Sequence, residues 1–448
     1  MAMTPRSACV LSLNSCFKNG RFVNLELDSA IKKYGFEGVD KSFFTALLYG
    51  TCERIITIDY ILSQFSKTPI QKIEPLMLAN LRSSVYQIFY MDRVPDSAAC
   101  NEAVEICKAL CPHSFAGFLN AVLRNIVRNK SKLSEQINSL TGLEGISVKY
   151  SVPLEIVKLF AKDYSQEGAE KICRAFCNNP PYLSIHVNTL KISAERLRDA
   201  LGNVADYDAI TREGLRIRGT IPPKDLCGFD DGLFFVQDTA SIKCSELLMP
   251  QDVSDTVQDG KVPFIIDICA CPGGKSFAAA LNFKNKAEIL SMDLHSNRLS
   301  LIESSAKRLG ITCITTRQNN AKTPLEEYFG KADAVICDVP CSGLGVIAKK
   351  ADIKYKDVSD IQKLPALQYE ILCNSVKYLK KGGTVVYSTC TLVKQENEEI
   401  IRRFLSEHED FSLVPFEIGK FKTAGVATLR PDIHGTDGFF MAKLKKAK

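Results

Sequence analysis

At 448 residues the chain is long enough for about two or three domains, each with its own core, and its 46% hydrophobic and 24% charged residues are ordinary for a globular protein. No stretch approaches the roughly 18 apolar residues of a membrane span, and the N-terminal MAMTPRSACVLSLNSCFKNG lacks the continuous apolar centre of a signal peptide, so a cytoplasmic location is expected. Lysine plus arginine exceeds aspartate plus glutamate by 57 to 51, a net charge of +6 that suits a polyanionic partner without requiring one.

Helical spacing dominates from about Lys41 to Arg128. KSFFTALLYGTCERIITIDYILSQF and LMLANLRSSVYQIFYM carry apolar residues three and four apart, and Pro75 stands where a helix tolerates it, at the start of the second. NEAVEICKAL, with Asn101 as its expected cap, and FAGFLNAVLRNIVRNK follow. An all-helical domain of about four or five helices is therefore expected over residues 1–145. Polar, Gly-bearing sequence between Ser131 and Tyr150 predicts a linker or loop followed by a short helix. From 146 to 232 the pattern mixes: a helix near Pro153 to Cys177, then PPYLSIHVNTL alternating like a strand, then the helical SAERLRDAL. A linker helix and a small α+β subdomain are expected there.

From 233 to 448 strands and helices alternate. Strands are expected at PFIIDIC, AEILSMD, ITCITT, ADAVICD, GGTVVYSTC, FSLVPF and DGFFMAKL, and segments such as SNRLSLIESSAKRLG and QENEEIIRRFLSEH have helical spacing. This order predicts an α/β domain built on a doubly wound, mostly parallel sheet with helices on both faces.

The loop after the first of those strands reads DICACPGGKS, Asp267 to Ser276. Its Gly-Lys-Ser ending suggests a phosphate loop, but such a loop needs glycine where Cys269 stands, and the dinucleotide pattern G-x-G-x-x-G also fails. What remains is an acid-containing turn with Gly273 and Gly274 opening a helix, whose amides can meet a carboxylate. A second acid, Asp293, ends the next strand, the expected place for a carboxylate that accepts both ribose hydroxyls. A carboxylate beside a ribose describes S-adenosylmethionine. These residues alone leave this reading level with a strand-turn-helix whose glycines are structural.

Seventeen cysteines include no C-x-x-C pair: Cys107/Cys111 and Cys173/Cys177 are C-x3-C, and Cys269/Cys271 is C-x-C. Bound zinc or another metal is not expected, and most of the thiols should be small core residues. Two differ. DVPCSGLG (Asp338–Gly345) follows the fourth strand and STCT (Ser388–Thr391) ends the fifth. Those strands should be neighbours, roughly 5 Å apart, which brings Cys341 and Cys390 to the ligand-binding edge. Cytosine C5 is too weak a nucleophile to take a methyl group until a thiolate adds to C6. A second thiol nearby suits removal of the C5 proton afterwards.

These residues resemble the RsmB-type (Sun/Fmu) RNA cytosine-5 methyltransferases. DICACPGGKS, DVPCSGLGVIAKKADIKY, YSTCTLVKQENEEII, TDGFFMAKL and, ahead of them, FVQDTAS (Phe235–Ser241) match that family's motifs. GFLNAVLRNIVR (Gly117–Arg128) is similar to the NusB-like RNA-binding domain that precedes the catalytic domain in the ribosomal RNA enzymes. The resemblance implies a Rossmann-like S-adenosylmethionine-dependent methyltransferase domain over 233–448, a NusB-like domain over 1–145, and an RNA-contacting subdomain between them. It implies Cys390 as the nucleophile and Cys341 as the residue assisting release and proton removal. Asp338 would orient the base and adjoin the cofactor. Cys269, Ala270, Cys271, Pro272, Gly273, Gly274, Lys275 and Asp293 would bind S-adenosylmethionine, leaving S-adenosylhomocysteine as product. The implied substrate is RNA, small-subunit (16S) ribosomal RNA by analogy; transfer RNA, or a non-catalytic role in ribosome assembly, is the alternative. A monomer with no membrane partner is expected.

The chain departs from the family pattern in three places. An Asp-Ala pair is replaced by Asn320-Ala321, so the adenine amino group would meet an uncharged acceptor and the cofactor would bind more weakly. His186 stands where an arginine is usual, and KKADIKY follows the Pro-Cys motif where a basic residue with proline is common. Arg124, Arg128, Lys130, Lys349 and Lys350 are candidate phosphate contacts.

Overall fold

The computed structural model describes every residue except 1–2, 20–22, 179–181, 220, 255, 258–260, 356–357, 420 and 448. The chain divides into two units, one of Met1–Cys177 with Lys349–Lys356, the other of Asn178–Ala348 with Asp357–Lys448. Among the described residues no helix is long and apolar enough to cross a membrane.

The first unit is helical: α1 (Pro5–Asn19), α2 (Val23–Tyr34), α3 (Gly38–Glu53), α4 (Ile55–Ser63), α5 (Pro75–Tyr90), α6 (Asp96–Leu110), α7 (Phe115–Arg128), α8 (Lys130–Ser139), α9 (Gly142–Tyr150) and α10, which runs from Leu154 and is broken at Ser165. In α5, Pro75 takes the first position and Glu74 caps the helix by accepting from Met77 N at 2.8 Å. Met77, Leu81, Val85 and Ile88 then face the core at helical spacing. In α7, Leu119, Val122, Leu123 and Ile126 are buried, while Arg124 and Arg128 project outward. Asn101 lies inside α6 and caps nothing, because helical residues begin at Asp96, directly after Pro95. The expected linker between Ser131 and Tyr150 is instead largely helical, as α8 and α9.

The segment Lys349–Lys356 belongs to this first unit although it follows the Pro-Cys motif in sequence. Lys354, in the KKADIKY segment, is buried. Its Nζ donates to the carbonyls of Glu53 and Ser151, each at 3.1 Å, and Tyr355 OH donates to Cys52 O at 2.8 Å. Burial pushes the Lys354 ammonium below its usual range.

The second unit holds two larger sheets. The smaller has the order β2-β3-β1-β4, made of β1 (Leu183–Val187), β2 (Ala205–Tyr207), β3 (Gly214–Ile217) and β4 (Phe234–Val236), with α11 (Ala194–Leu201) against it and α12 (Thr239–Ser245) following β4. The larger comprises β5 (Phe264–Asp267), β6 (Glu288–Asp293), β7 (Ile314–Gln318), β8 (Ala332–Asp338), β9 (Leu379–Thr389), β10 (Phe411–Leu413), β13 (Val426–Leu429) and β14 (Phe439–Lys446); β11 (Phe416–Ile418) and β12 (Phe421–Thr423) form a separate hairpin. Its order is β10-β14-β9-β8-β5-β6-β7, with β13 paired to β14. From β7 to β9 neighbours run parallel, and β14 returns antiparallel beside β9.

Successive strand residues divide between two cores, as the period of two requires. Ile265, Ile289, Ala334 and Val386 face α13 (Gly274–Asn282) and α14 (Ser296–Leu309). Ile266, Leu290, Val335 and Val385 face the other core. There Tyr369 and Leu372 come from α16 (Leu364–Ser375), which follows the single turn α15 (Val358–Ile361), and Ile400 and Phe404 come from α17 (Glu398–Glu407). This is the doubly wound arrangement expected. The chain leaves β5 toward β6 and β7, then returns to β8 on the other side of β5, so the switch in strand order falls beside Asp267 and Asp338.

Candidate active site

Beyond Asp267 the chain turns through DICACPGGKS into α13. The turn is pinned on both sides: Ile268 N donates to the Ile336 carbonyl of β8 at 3.1 Å, and Ala270 N to the Met292 carbonyl of β6 at 2.8 Å. Gly273 has φ +108°, and a Cβ there would lie 2.5 Å from the Phe277 ring. A Cβ on Gly274 would lie 3.2 Å from Gln237 Nε2. Gly273 is thus required by the backbone path, while a side chain at Gly274 would press on Gln237, and the turn delivers the open amides of the first turn of α13 to the sheet edge.

Asp293, at the end of β6, is buried and accepts from Cys271 N at 3.3 Å and His295 N at 3.1 Å, with Arg298 at 3.6 Å. The next residue, Leu294, is apolar yet 51% exposed. Asn320 follows β7 and is exposed; its Oδ1 accepts from Lys322 N at 3.0 Å, closing a local turn.

Asp338, at the end of β8, is gripped from two sides. Lys275 Nζ donates to its Oδ2 at 2.7 Å and Ser388 Oγ to its Oδ1 at 2.6 Å. Ser388 is in place because Asp338 and Ser388 are register partners in the parallel β8–β9 ladder. Lys275 also reaches Ser241 Oγ at 3.2 Å. Burial alone would lower the Lys275 ammonium, but Asp338 together with Cys244 and Asp267 outweighs it and raises the group to about 12, so this lysine stays charged.

The loops that leave β8 and β9 carry the two thiols. Cys341 Sγ lies 3.2 Å from Cys390 Sγ, and Cys390 N donates to Cys341 Sγ at 3.3 Å. The hydrogen bond to Cys390, reinforced by burial, holds the Cys341 thiol well above its ordinary range. Cys341 therefore keeps its proton, and its S–H can be shared with Cys390 sulfur. The cysteines of the first loop are poor thiolates: burial holds Cys269 far up, and burial with Asp293 beside it pushes Cys271 up to about 12. The structure brings Cys341, Cys390, Asp338 and the Cys269–Lys275 loop to one edge of the sheet, with Asp293 and Asn320 along the same C-terminal side.

Sequence reasoning missed what braces the thiol loops. Glu396 is fully buried and its Oε2 accepts from Ser342 N and Gln368 Nε2, each at 2.8 Å, while Oε1 faces Thr391 Oγ1 at 3.3 Å. Ser342 Oγ and Thr391 Oγ1 lie 2.7 Å apart, so the residue after each thiol is tied to the other loop. Gly345 N donates to Cys390 O at 3.0 Å, Gly438 N to Gly345 O at 2.8 Å, and a Cβ on Gly345 would sit 1.9 Å from Gly438 O. The motifs quoted above contain Glu396 and Gly438, but no local signal marks either as a brace.

A family model for the 16S rRNA methyltransferase RsmB/F matches residues 256–445, and one for the NusB family matches residues 3–128. The Bacillus subtilis protein named probable ribosomal RNA small subunit methyltransferase B is 35% identical over 446 residues, covering 96% of each chain. The chain belongs to the RsmB/F methyltransferase family. A Synechocystis protein of the same name is 32% identical, over 99% of this chain and all of that one. The crystal structure of PH0851 shares the fold, with a TM-score of 0.80 at 24% identity over 100% of both chains.

Members of this family use S-adenosylmethionine, and the residues present fit it. The glycine turn leaves backbone, not side chain, at the end of β5. The opening amides of α13 suit a carboxylate, and the Asp293 carboxylate lies at the end of the adjoining strand. The helical N-terminal unit and the methyltransferase sheet are those expected from the resemblance.

Proposed function

We propose that this RsmB/F member methylates C5 of a cytosine in small-subunit ribosomal RNA through a covalent bond between Cys390 and C6. The observation that carries the reading is the 3.2 Å approach of two thiols at the ends of adjacent parallel strands, beside a lysine-held carboxylate. A single thiol would suit many nucleophilic enzymes; two in contact suit an addition that must later be reversed.

S-adenosylmethionine, bound along Cys269–Lys275, Asp293 and Asn320, supplies the electrophilic methyl group. Asn320 would offer its carbonyl to the adenine amino group. Asp338, fixed by Lys275 and Ser388, accepts a hydrogen bond from the cytosine amino group and keeps the ring in register with the thiols. Cys390 sulfur, as thiolate, forms a bond to C6 and shifts an electron pair to C5, where the methyl group is received. Loss of the C5 proton then returns the electron pair, the Cys390–C6 bond breaks, and Cys390 leaves as thiolate. Cys341, in contact with Cys390, assists this last step by handling the proton. Reaching C5 and C6 requires the nucleotide to be turned out of any stack, so the substrate should be unpaired or weakly paired RNA.

The test is bisulfite sequencing of ribosomal and transfer RNA from cells with and without the gene, repeated with purified protein and each RNA. One small-subunit cytosine should lose its mark in the deletion strain and regain it in vitro. A mark lost only from transfer RNA would overturn the substrate, and no lost mark would overturn the reaction.

A further inference from the structure

A buried chain of polar side chains runs from the small sheet to Asp338. His186 on β1 is 1% exposed, and its ring lies 4.9 Å from that of Phe235. Its Nδ1 is 2.8 Å from Gln237 Oε1 and its Nε2 3.3 Å from Glu213 Oε2. Gln237 is also buried, and its Nε2 points to Ser241 Oγ at 3.2 Å and Ser245 Oγ at 3.4 Å. Ser241 in turn receives Lys275 Nζ at 3.2 Å, and Lys275 grips Asp338 at 2.7 Å. Gln237 also limits the turn at Gly274, where a Cβ would come within 3.2 Å of its amide nitrogen. One amide therefore touches both ends of the site, the glycine turn and the anchor of Lys275.

We propose that His186 is a positioning residue for methyl transfer: with an N–H directed at each of its two acceptors, the Glu213 carboxylate and the Gln237 carbonyl oxygen, it holds the Gln237 amide in the orientation that fixes the glycine turn and, through Ser241, the Lys275–Asp338 pair. A buried side-chain amide has two chemically different ends, and only a directional partner selects between them. Phe235, on one face of the His186 ring, supplies packing but no such direction. A glutamine turned over would present its oxygen to Ser241 and lose the donor it now aims there. The proposal rests on the reading of Lys275 and Asp338 as part of the transfer site, but cofactor binding tests it separately.

The variants are His186→Leu, which removes both ring nitrogens, and His186→Asn, whose amide occupies the place of the Nδ1 edge. Glu213→Ala, at a half-exposed position, is a third that keeps the core intact. Calorimetry gives the affinity for S-adenosylhomocysteine, and single-turnover methyl transfer to a ribosomal RNA fragment gives the rate, alongside the KM for RNA and the thermal midpoint. His186→Leu should weaken S-adenosylhomocysteine binding and slow transfer by roughly tenfold each, with KM for RNA unchanged. His186→Asn should restore most of both, and Glu213→Ala should fall between. Should His186→Leu fail to fold, the Asn and Ala variants carry the same comparison against the unmodified protein. Equal loss in the Asn and Leu variants at matched thermal midpoints, or no loss in Leu and Ala, overturns the proposal. An unmodified protein that binds S-adenosylhomocysteine but leaves cytosine unmethylated overturns the function instead, and the binding comparison still decides the role of His186.

Discussion

Two thiols 3.2 Å apart cannot both hold a negative charge at low cost, because like charges at that distance repel strongly in a partly buried site. In the proposed reaction the shared proton stays on Cys341 and Cys390 is the sulfur that attacks C6. Cys390→Ala should abolish methyl transfer without trapping RNA. Cys341→Ala should instead accumulate a protein–RNA complex that survives denaturing electrophoresis, since addition proceeds but elimination does not. A trapped complex in the Cys390 variant would exchange the two roles. Asp267 offers a second residue-scale test. Burial pushes its carboxyl up to about 7 even though Ser276 Oγ donates to it at 2.6 Å. The folded state thus binds this proton more tightly than the unfolded chain, whose carboxyl titrates near about 3.9, and stability falls as pH rises from about 4 to about 7. Asp267→Asn removes that loss, so it should be more stable than the unmodified protein at pH 8, by on the order of a few kcal/mol, seen as a higher thermal midpoint that converges with the unmodified protein's in acid. Identical midpoints at pH 8 would refute the assignment.

At the scale of elements, β8 and β9 supply the site because their parallel register sets Asp338 beside Ser388 and sends both thiol loops out of the same edge. Glu396 then holds the loops together. Glu396→Ala leaves Ser342 N and Gln368 Nε2 without their carboxylate, which should reduce stability by roughly 1–3 kcal/mol and lower the rate further by loosening the thiols. Chemical denaturation and single-turnover assays on the same sample separate the two effects; a stability loss with an unchanged rate would leave Glu396 a purely structural brace. The strands of the large sheet were legible because they are short apolar runs ended by Gly, Pro or Asp, and α5 because Pro75 and its apolar spacing mark it. Other elements gave weak signals. In α1 the buried face is built from Ala8, Cys9, Ser12 and Cys16 as well as Leu13, and Ser12 is satisfied by Glu26, so small and polar residues blur the period. In α8 only Leu133 and Ile137 are buried, too few to stand out from a polar linker. FSLVPF is read as one strand, yet it splits between β10, which joins β14, and β11, which pairs with β12.

For the whole molecule, a net charge of +6 and an RNA substrate predict affinity that falls steeply with salt. Arg124 and Arg128 project from α7, whereas Lys130 is paired with Asp96 at 3.1 Å and Lys354 is buried. Replacing Arg124 and Arg128 together with glutamine should reduce the slope of log affinity against log salt by about 2, while the rate at saturating RNA stays unchanged. Filter binding at several salt concentrations reads this out; an unaltered slope would remove α7 from the RNA-binding surface. The sequence by itself determined the class of sheet, the glycine turn, and the placing of Cys341 and Cys390 on neighbouring strand ends, because these follow from local pattern and the few connections a parallel sheet allows. Only the tertiary structure decided the contacts between thiols, the grip of Lys275 on Asp338 from 63 residues away, the brace at Glu396 and the line from His186 to Ser241. Each joins side chains from separate elements whose spacing is set by how the layers pack, and no local pattern in the chain encodes that distance.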